Sequence, residues 1–395
     1  MLDEARDELT SAVALRRRLH RHPELGLELP RTREAVLEAL EPLGLEVTTG
    51  TTTTSVVADL VGGQPGPTVL LRGDMDALPM PEDTGLDFAS EVDGAMHACG
   101  HDSHTAMLVG AAHLLSNHRA DIKGRVRFMF QPGEEGFHGA RYMLDEGLLD
   151  APGDGEAPSF AFALHVTAAI PSGLVASRGG TLMASSDVLR ITVTGRGGHA
   201  SMPHQALDPI PIACEIVMAI QTMVTRRVDV FDPAVVTVAR ISAGTTSNVI
   251  PEAAEIEGTI RAVSDATRQA VRDGLRRLAE GIAEAHGASA TVEIEPGYPV
   301  TVNDADAAAV VHRVAGDVLG SGRAFTMPAP VMGAEDWSYV LQRVPGAMAF
   351  LGAMPPGADP ARVAPNHSNR MMIDESAMTA GIAVYSAVAF DRLGA

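Results

Sequence analysis

The sequence predicts an α/β fold in two parts: a larger α/β domain around a central mixed sheet, and a smaller ferredoxin-like domain inserted into it. Three observations carry this. Short apolar runs that end in acidic residues or histidine alternate with helical patterns over the first half of the chain. The texture changes at Asp187, after which strand and helix patterns follow in the order β-α-β-β-α-β. After Pro299 the α/β character returns. The expected domains are therefore 1–185 with 297–395, and the insertion 186–296.

The chain has 395 residues, enough for two cores. Hydrophobic residues make up 46% and charged residues 20%, which excludes a disordered chain. A formal net charge of −20 with no basic stripe excludes a nucleic-acid partner. No apolar run approaches the ~18 residues that span a membrane. The stretch 1–10 is acidic and lacks the apolar core of a signal peptide, so a cytoplasmic location is expected. Cys99 and Cys214 are the two cysteines; they form no CxxC and fit a reducing compartment. Cys214 lies in the apolar stretch 211–223 and is expected to be a buried small hydrophobe.

In chain order, 3–22 reads as an amphipathic helix that stops at His22-Pro23, and 32–43 as a second that stops at Gly44. Two strands, 55–61 and 67–72, flank the turn Gly62-Gly-Gln-Pro-Gly66. The second runs into Gly73-Asp-Met-Asp-Ala-Leu-Pro79, placing Asp74 and Asp76 past the C-terminal end of a buried strand. Open α/β sheets do their chemistry there. An isolated DxD is more often a solvated turn, but this one precedes a Cys/His cluster by one loop.

That cluster is Met96-His-Ala-Cys-Gly-His-Asp-Ser-His-Thr105. In extended or irregular backbone, Cys99 and His101 would point to one face. Thiolate and imidazole are borderline-soft ligands suited to a transition metal. His97 shares their parity and could ligate or support; His104 and His113 read as structural residues of the buried helix 105–115. Strand 125–130 leads into Gln131-Pro-Gly-Glu-Glu-Gly136. Adjacent carboxylates diverge, so Glu134 and Glu135 suit a division of labour, one to hold metal and one to move a proton. Strand 159–166 ends on His165. A lone histidine there is usually a satisfied core residue, but the other strand-end acids and the thiol favour a ligand.

In the insertion, strand 188–194 precedes Gly195-Arg-Gly-Gly-His-Ala-Ser-Met-Pro-His204. A helix follows at 208–225, then strands 235–241 and 254–263, a helix 264–286 and a strand 291–295. Beyond it come a helix 304–319, a loop entering a helix at 331–339, a strand 346–352, a polar loop holding His367, and a last helix 374–393.

Cys99, His101, Glu135, His165 and His367 exceed one four-ligand structural site, so two metals sharing a bridging group are plausible. At pH 7 water with a pKa of about 15.7 is deprotonated to about 1 part in 10⁹, whereas metal-bound water near ~7 is about half hydroxide. The difference is worth roughly 12 kcal/mol. Glu134 would take the water proton and hand it to a leaving amine, typically worth ~10²- to 10⁴-fold. The chemistry is hydrolysis of an amide or ester. A Cys99 nucleophile with His101 as base is the rival, but it leaves the DxD, Glu134-Glu135 and His165 without work.

The chain resembles the dinuclear-metal aminoacylase and carboxypeptidase family of metallopeptidases, peptidase family M20, in its amidohydrolase branch of hippurate, N-acyl-amino-acid and auxin-conjugate hydrolases. The motifs carrying this are Leu71-Arg-Gly-Asp-Met-Asp-Ala-Leu-Pro79, the Met96–Thr105 cluster, Phe130-Gln-Pro-Gly-Glu-Glu-Gly136, Ala163-Leu-His-Val166, Gly197-Gly-His-Ala200, Asn248-Val-Ile-Pro251, Gly258-Thr-Ile-Arg261 and Met332-Gly-Ala-Glu-Asp336. Gly133 stands where the branch often has Ala, and His367 sits in Pro-Asn-His-Ser rather than a Leu-His pattern.

The resemblance implies two divalent metals (Mn, Zn, Co or Ni) held by Cys99, His101, Glu135, His165 and His367, with Glu134 as general base. It implies that Asp76 orients the site and that Asp74 stands where other branches carry a histidine ligand. It implies a lid domain used for homodimerisation, whose His199 stabilises the oxyanion, and Asn248 and Arg261 holding the substrate carboxylate. The implied activity is amide hydrolysis of N-acyl-L-amino acids. The alternatives are a dipeptidase or carboxypeptidase and, from another class, a metal-binding homologue without catalysis.

Overall fold

Strands with apolar centres and polar C-terminal ends pair most stably when both faces are covered, and the strands of the larger part do so. The structure, a computed structural model, describes residues 1–394 apart from Pro152 and Asp154. Helices α1 (Leu2–Arg21) and α2 (Pro30–Leu40) precede strands β1 (Glu46–Thr49), β2 (Val56–Val61) and β3 (Gln64–Asp74). Helix α3 (His101–Asn117), β4 (Lys123–Gln131), α4 (Gly139–Asp145), β5 (Pro158–Thr167), β6 (Val175–Ser177) and β7 (Gly180–Met183) follow. Two of the departures from expectation lie in elements next to the site. β3 begins at Gln64, inside the expected turn, and α3 begins at His101 rather than after the cluster.

The intervening elements are β8 (Ser185–Thr194), β9 (Gly198–His199), α5 (Pro209–Arg227), β10 (Ala234–Ala243), β11 (Val249–Ile250), β12 (Ala253–Ala262), α6 (Asp265–Ala285) and β13 (Ser289–Pro296). The chain ends with β14 (Thr301–Asn303), α7 (Ala305–Leu319), β15 (Ala324–Thr326), α8 (Ser338–Leu341), β16 (Gly346–Gly352) and α9 (Ala377–Leu393). The chain divides into two compact units, one of Met1–Leu182, Val302–Ala329 and Asp336–Ala395, the other of Met183–Thr301 and Pro330–Glu335. The short segment Pro330–Glu335 was expected with the larger part. It belongs with the smaller because Ala184 N–H donates to Val331 C=O at 3.0 Å.

In the larger unit the sheet order is β1-β2-β4-β3-β5-β16-β6-β15. It is mixed: β3 runs parallel to β4 and β5, and β2 is antiparallel to β4. From β3 the chain crosses through α3 to β4 on one side; from β5 it leaves for the other. The β3/β5 boundary is therefore the point where connections diverge, the crevice in which such sheets bind ligands. Helix α9 is buried on nearly every face and packs against α1, α3 and α7. Its mean character is accordingly apolar all round rather than striped.

The smaller unit is a four-stranded antiparallel sheet, β10-β12-β8-β13, with α5 and α6 on one face. With its strands numbered in chain order this is 4-1-3-2, the ferredoxin-like arrangement. β8 alternates buried and outward residues along its length. Asp208 caps α5 and Ser264 caps α6 through side-chain acceptors. Cys214 is exposed, not buried. The buried stripe of α5 is Ile212, Ala213, Ile216 and Ile220, and position 214 falls off it. Among the described residues no helix is long and apolar enough to cross a membrane.

Candidate metal centre

Asp76, two residues past β3, accepts hydrogen bonds from two successive backbone amides. Glu134 N–H donates to its Oδ1 at 2.9 Å and Glu135 N–H to its Oδ2 at 3.0 Å. One carboxylate thus fixes the turn that follows β4, with Glu134 buried and Glu135 half-buried. Gly133 precedes the pair at φ 68°, a conformation glycine adopts without penalty. A Cβ there would meet Leu27 Cδ2 at 2.5 Å, so alanine would need local repacking.

Cys99 and His101 converge, but by a turn rather than an extended run. Gly100 sits at φ 89° and His101 opens α3. A Cβ on Gly100 would meet Val166 Cγ2 at 2.4 Å, so glycine is required for the cluster to lie against β5. His165, near the end of β5, brings Nε2 to 3.4 Å from Cys99 Sγ. His367 brings Nε2 to 3.1 Å from Glu135 Oε1, from a residue at φ 69°. A non-glycine residue held in the left-handed region at a cluster of donors is strain stored locally. The neighbouring Asn366 secures it, donating from Nδ2 to the carbonyls of Cys99 and Val166, each at 3.0 Å.

Three of the donor sets that bring one ligand atom apiece within 4.8 Å are built from the expected residues, namely Cys99, His101 and His165; Cys99, Glu135 and His367; and His101, Glu134 and Glu135; another joins Asp74, His101 and His104. Cys99, His101 and Glu135 are shared between sets, as two adjacent cations would need. Both ring nitrogens of His101 are fully buried and make no hydrogen bond. The nearest carboxylate oxygens, on Asp76 and Asp74, stand 3.5 Å away. A buried polar atom left so costs about 1–3 kcal/mol. A cation is the partner that thiolate, imidazole and carboxylate share, so these residues fit a metal.

The electrostatics agree. Burial alone would push the Cys99 thiol up, but His165 and His101 beside it hold it well below its usual value. Burial would lower His101, yet Asp74 and Cys99 hold it well above the usual imidazole range. Hydrogen bonds to Cys99 and Glu135 raise His367 to about 10. These ligand-type residues neutralise one another as ion pairs, and a metal would displace their protons.

Other expected residues lie elsewhere. His97 is fully buried, belongs to none of these donor sets and has no hydrogen bond on either ring nitrogen. Burial keeps it neutral, down at about 3. In the smaller unit, His199 is exposed on β9, which pairs with β11, and its Nδ1 is 2.8 Å from Ser201 Oγ. His199 and Asn248 line one shallow hollow; Arg261 lies on β12, outside it. His113 bonds the Ala39 carbonyl at 3.0 Å, a structural role.

Sequence reasoning missed His104, Arg72 and Asn366. His104 is fully buried rather than on a helix flank, with Nδ1 2.5 Å from Asp74 Oδ1. Its signal was its spacing: i+3 from His101 on one helix places both on one face. Arg72 is fully buried, with Nη1 2.8 Å from Asp74 Oδ2 and Nε bonded to Gln131 Oε1 at 2.9 Å. Nothing in the sequence distinguishes it from a solvent-facing strand arginine.

The model of peptidase family M20/M25/M40 matches residues 70–391. The chain belongs to this family. A thermostable carboxypeptidase of Saccharolobus solfataricus is 39% identical over 95% of this chain and 94% of its own. An N-acetylcysteine deacetylase of Bacillus subtilis is 40% identical over 87% of this chain and 88% of its own. Among solved structures, the Bacillus subtilis YXEP protein, described as a dinuclear metal binding peptidase from the M20 family, superposes with a TM-score of 0.84. It is 35% identical and the match covers 98% of this chain and 99% of that one. The M20 chain described here is a hydrolase of amide bonds.

Proposed function

We propose that this M20 hydrolase cleaves the amide bond of N-acyl-L-amino acids (acetyl, benzoyl, fatty-acyl or aryl-acetyl) to a carboxylic acid and a free amino acid. The observation that carries the reading is the convergence of Cys99, His101, Glu135, His165 and His367 in overlapping donor sets, with Glu134 beside His101 and Glu135. In this reading those five hold two divalent metals (Mn, Zn, Co or Ni), which when bound polarise the acyl carbonyl and acidify the attacking water. Glu134 takes the water proton on its carboxylate and delivers it to the leaving nitrogen. Asp76 keeps Glu134 and Glu135 on opposite duties by anchoring both their amides. His199 stabilises the oxyanion, and Asn248 and Arg261 hold the substrate carboxylate.

The smaller unit serves as lid and homodimer contact in this reading. Its helices α5 and α6 leave a groove of about 1050 Å³ lined by Met223, Val228, Leu278 and Ile282, among others, which supports pairing and is tested by light scattering. The acidic chain and its reduced cysteines favour a small-molecule substrate in the cytoplasm.

A second reading, carboxypeptidase or dipeptidase, is favoured by the thermostable carboxypeptidase relative. The decisive assay measures amino-acid release from N-acyl amino acids and from unblocked dipeptides. Chelator-stripped protein is tested before and after adding Mn²⁺, Co²⁺, Ni²⁺ or Zn²⁺. Metal-restored release from N-acyl substrates alone is expected. Release from dipeptides alone moves the function to peptidase, and metal-independent release revives Cys99 as nucleophile.

A further inference from the structure

The parallel ladder between β3 and β5 stops at Arg72 and Ala163. Beyond that pair, β3 continues against β4 as far as Asp74 and Gln131, while β5 continues against β16 as far as Thr167 and Gly352. The strands part, and every second N–H of β5 that faced β3 loses its acceptor. A buried N–H left in that state is destabilising by about 1–3 kcal/mol. Two side chains replace the missing ladder. Leu164 N–H donates to Tyr385 Oη at 3.0 Å, and that hydroxyl donates on to Arg72 C=O at 2.6 Å. Val166 N–H donates to His104 Nε2 at 2.8 Å.

The second replacement reaches the metal centre. A ring nitrogen that accepts an N–H carries no proton, so the proton of His104 is on Nδ1, donated to Asp74 Oδ1 at 2.5 Å. Asp74 Oδ2 is held 2.8 Å from Arg72 Nη1. The peptide that His104 grips is the one joining His165 to Val166. His165 Nδ1 lies 2.7 Å from the Val166 carbonyl, and a carbonyl can only accept, so this nitrogen carries the His165 proton. Nε2, the atom facing Cys99 Sγ at 3.4 Å, is then the ring nitrogen left to ligate a metal.

We propose that Asp74 and His104 are positioning residues of the metal centre: by holding Val166 N–H they fix the His165–Val166 peptide and with it the aim of His165, and they place Val166, whose own carbonyl takes the His165 Nδ1 proton, with Arg72 orienting Asp74. The inference rests on the ligand set proposed above. It explains why an aspartate occupies position 74 without being counted among the ligands. Its carboxylate orients an imidazole that in turn orients a ligand-bearing peptide. Partners at this remove commonly change metal affinity by ~10- to 100-fold.

The test reads tautomers and affinity, not turnover. In ¹⁵N-histidine-labelled, Zn²⁺-loaded protein, long-range ¹H–¹⁵N spectra should show His104 and His165 each carrying its proton on Nδ1. His104→Asn keeps a donor for Asp74 and removes the acceptor for Val166 N–H. It should weaken Zn²⁺ binding, measured calorimetrically, by roughly tenfold to a hundredfold and mix the His165 tautomers. His113→Gln, on the same helix but bonded to Ala39, should leave both readings unchanged. An Nε2–H tautomer at either histidine in the wild-type protein would overturn the proposal, and that reading stands even if the variant does not fold. So would a folded His104→Asn protein with wild-type Zn²⁺ affinity. Inactivity on every N-acyl substrate would sink the functional reading and leave these readings intact. Failure of wild-type protein to bind Zn²⁺ would remove the ligand set, and with it this proposal's role for His165.

Discussion

Asp76 and His199 are assigned to one reaction, yet the protein holds them in opposite ways. Asp76 is 1% exposed, and both its oxygens are taken by backbone amides. His199 is exposed on a two-residue strand, where its ring meets Ser201. The contrast extends to their units. The larger one buries Arg72, Asp74, His101, His104 and Asp102 completely, whereas the four-stranded sheet of the smaller, apart from Ser185 and the Asp187–Arg268 pair at the start of β8, turns its polar residues outward. Groups that must meet within a fraction of an ångström are locked by ladders and buried pairs. Groups that only meet a substrate sit where sequence can vary at little structural penalty.

The sharpest break in that comparison is Glu134→Gln. It should lower kcat by ~10²- to 10⁴-fold while metal content, read by elemental analysis, stays at the wild-type level. Loss of metal instead would place Glu134 among the ligands. His199→Asn should lower kcat by about 10²-fold, with Zn²⁺ affinity unchanged, if the exposed unit supplies an oxyanion donor. An unchanged kcat would confine the chemistry to the larger unit.

A smaller effect probes the buried side alone. Burial would depress His20, but hydrogen bonds to Asp102 and Glu82 raise it to about 9. Its folded pKa exceeds its unfolded value near ~6.5, so the stabilisation is complete below ~6.5 and is lost as pH rises through about 9. Urea midpoints should therefore fall along that window by roughly 3 kcal/mol of stability, and His20→Asn should flatten the decline. A wild-type profile already flat from pH 6 to 10 would refute the assignment. Smallest of all, Cys214→Ser on the outer face of α5 should shift stability by less than about 0.5 kcal/mol.

The sequence made legible whatever depends on local period or on a strand's end. The order of elements in the smaller unit, the acids after β3 and β4, and His165 at the end of β5 were all readable from apolar runs that stop in polar residues. Other features depend on neighbours far apart in the chain. His104 matters because β3 and β5 part beside it, and no window around residue 104 contains that event. Asn366 clamps the carbonyls of Cys99 and Val166 across 267 and 200 residues. Cys214 was misjudged because an apolar stretch does not reveal which stripe of a helix faces inward. The reach between Cys99 and His101 was right in outcome and wrong in cause, since a left-handed glycine, not strand parity, brings them together.

The interrupted larger unit has a consequence in time. His367 and Tyr385 follow an insertion of about 120 residues that belongs to the other unit. At roughly 5–20 residues per second, a ribosome needs about 6–24 s to pass that insertion alone. Through that interval the emerged Cys99, His101, Glu135 and His165 lack the late-arriving histidine, and β3 and β5 lack the hydroxyl that bridges them. The smaller unit, continuous in sequence but for one short segment, can fold meanwhile. On the proposed ligand set, the metal centre can be completed only after His367 has followed that insertion out of the ribosome, and metal uptake would report that synthesis has passed it.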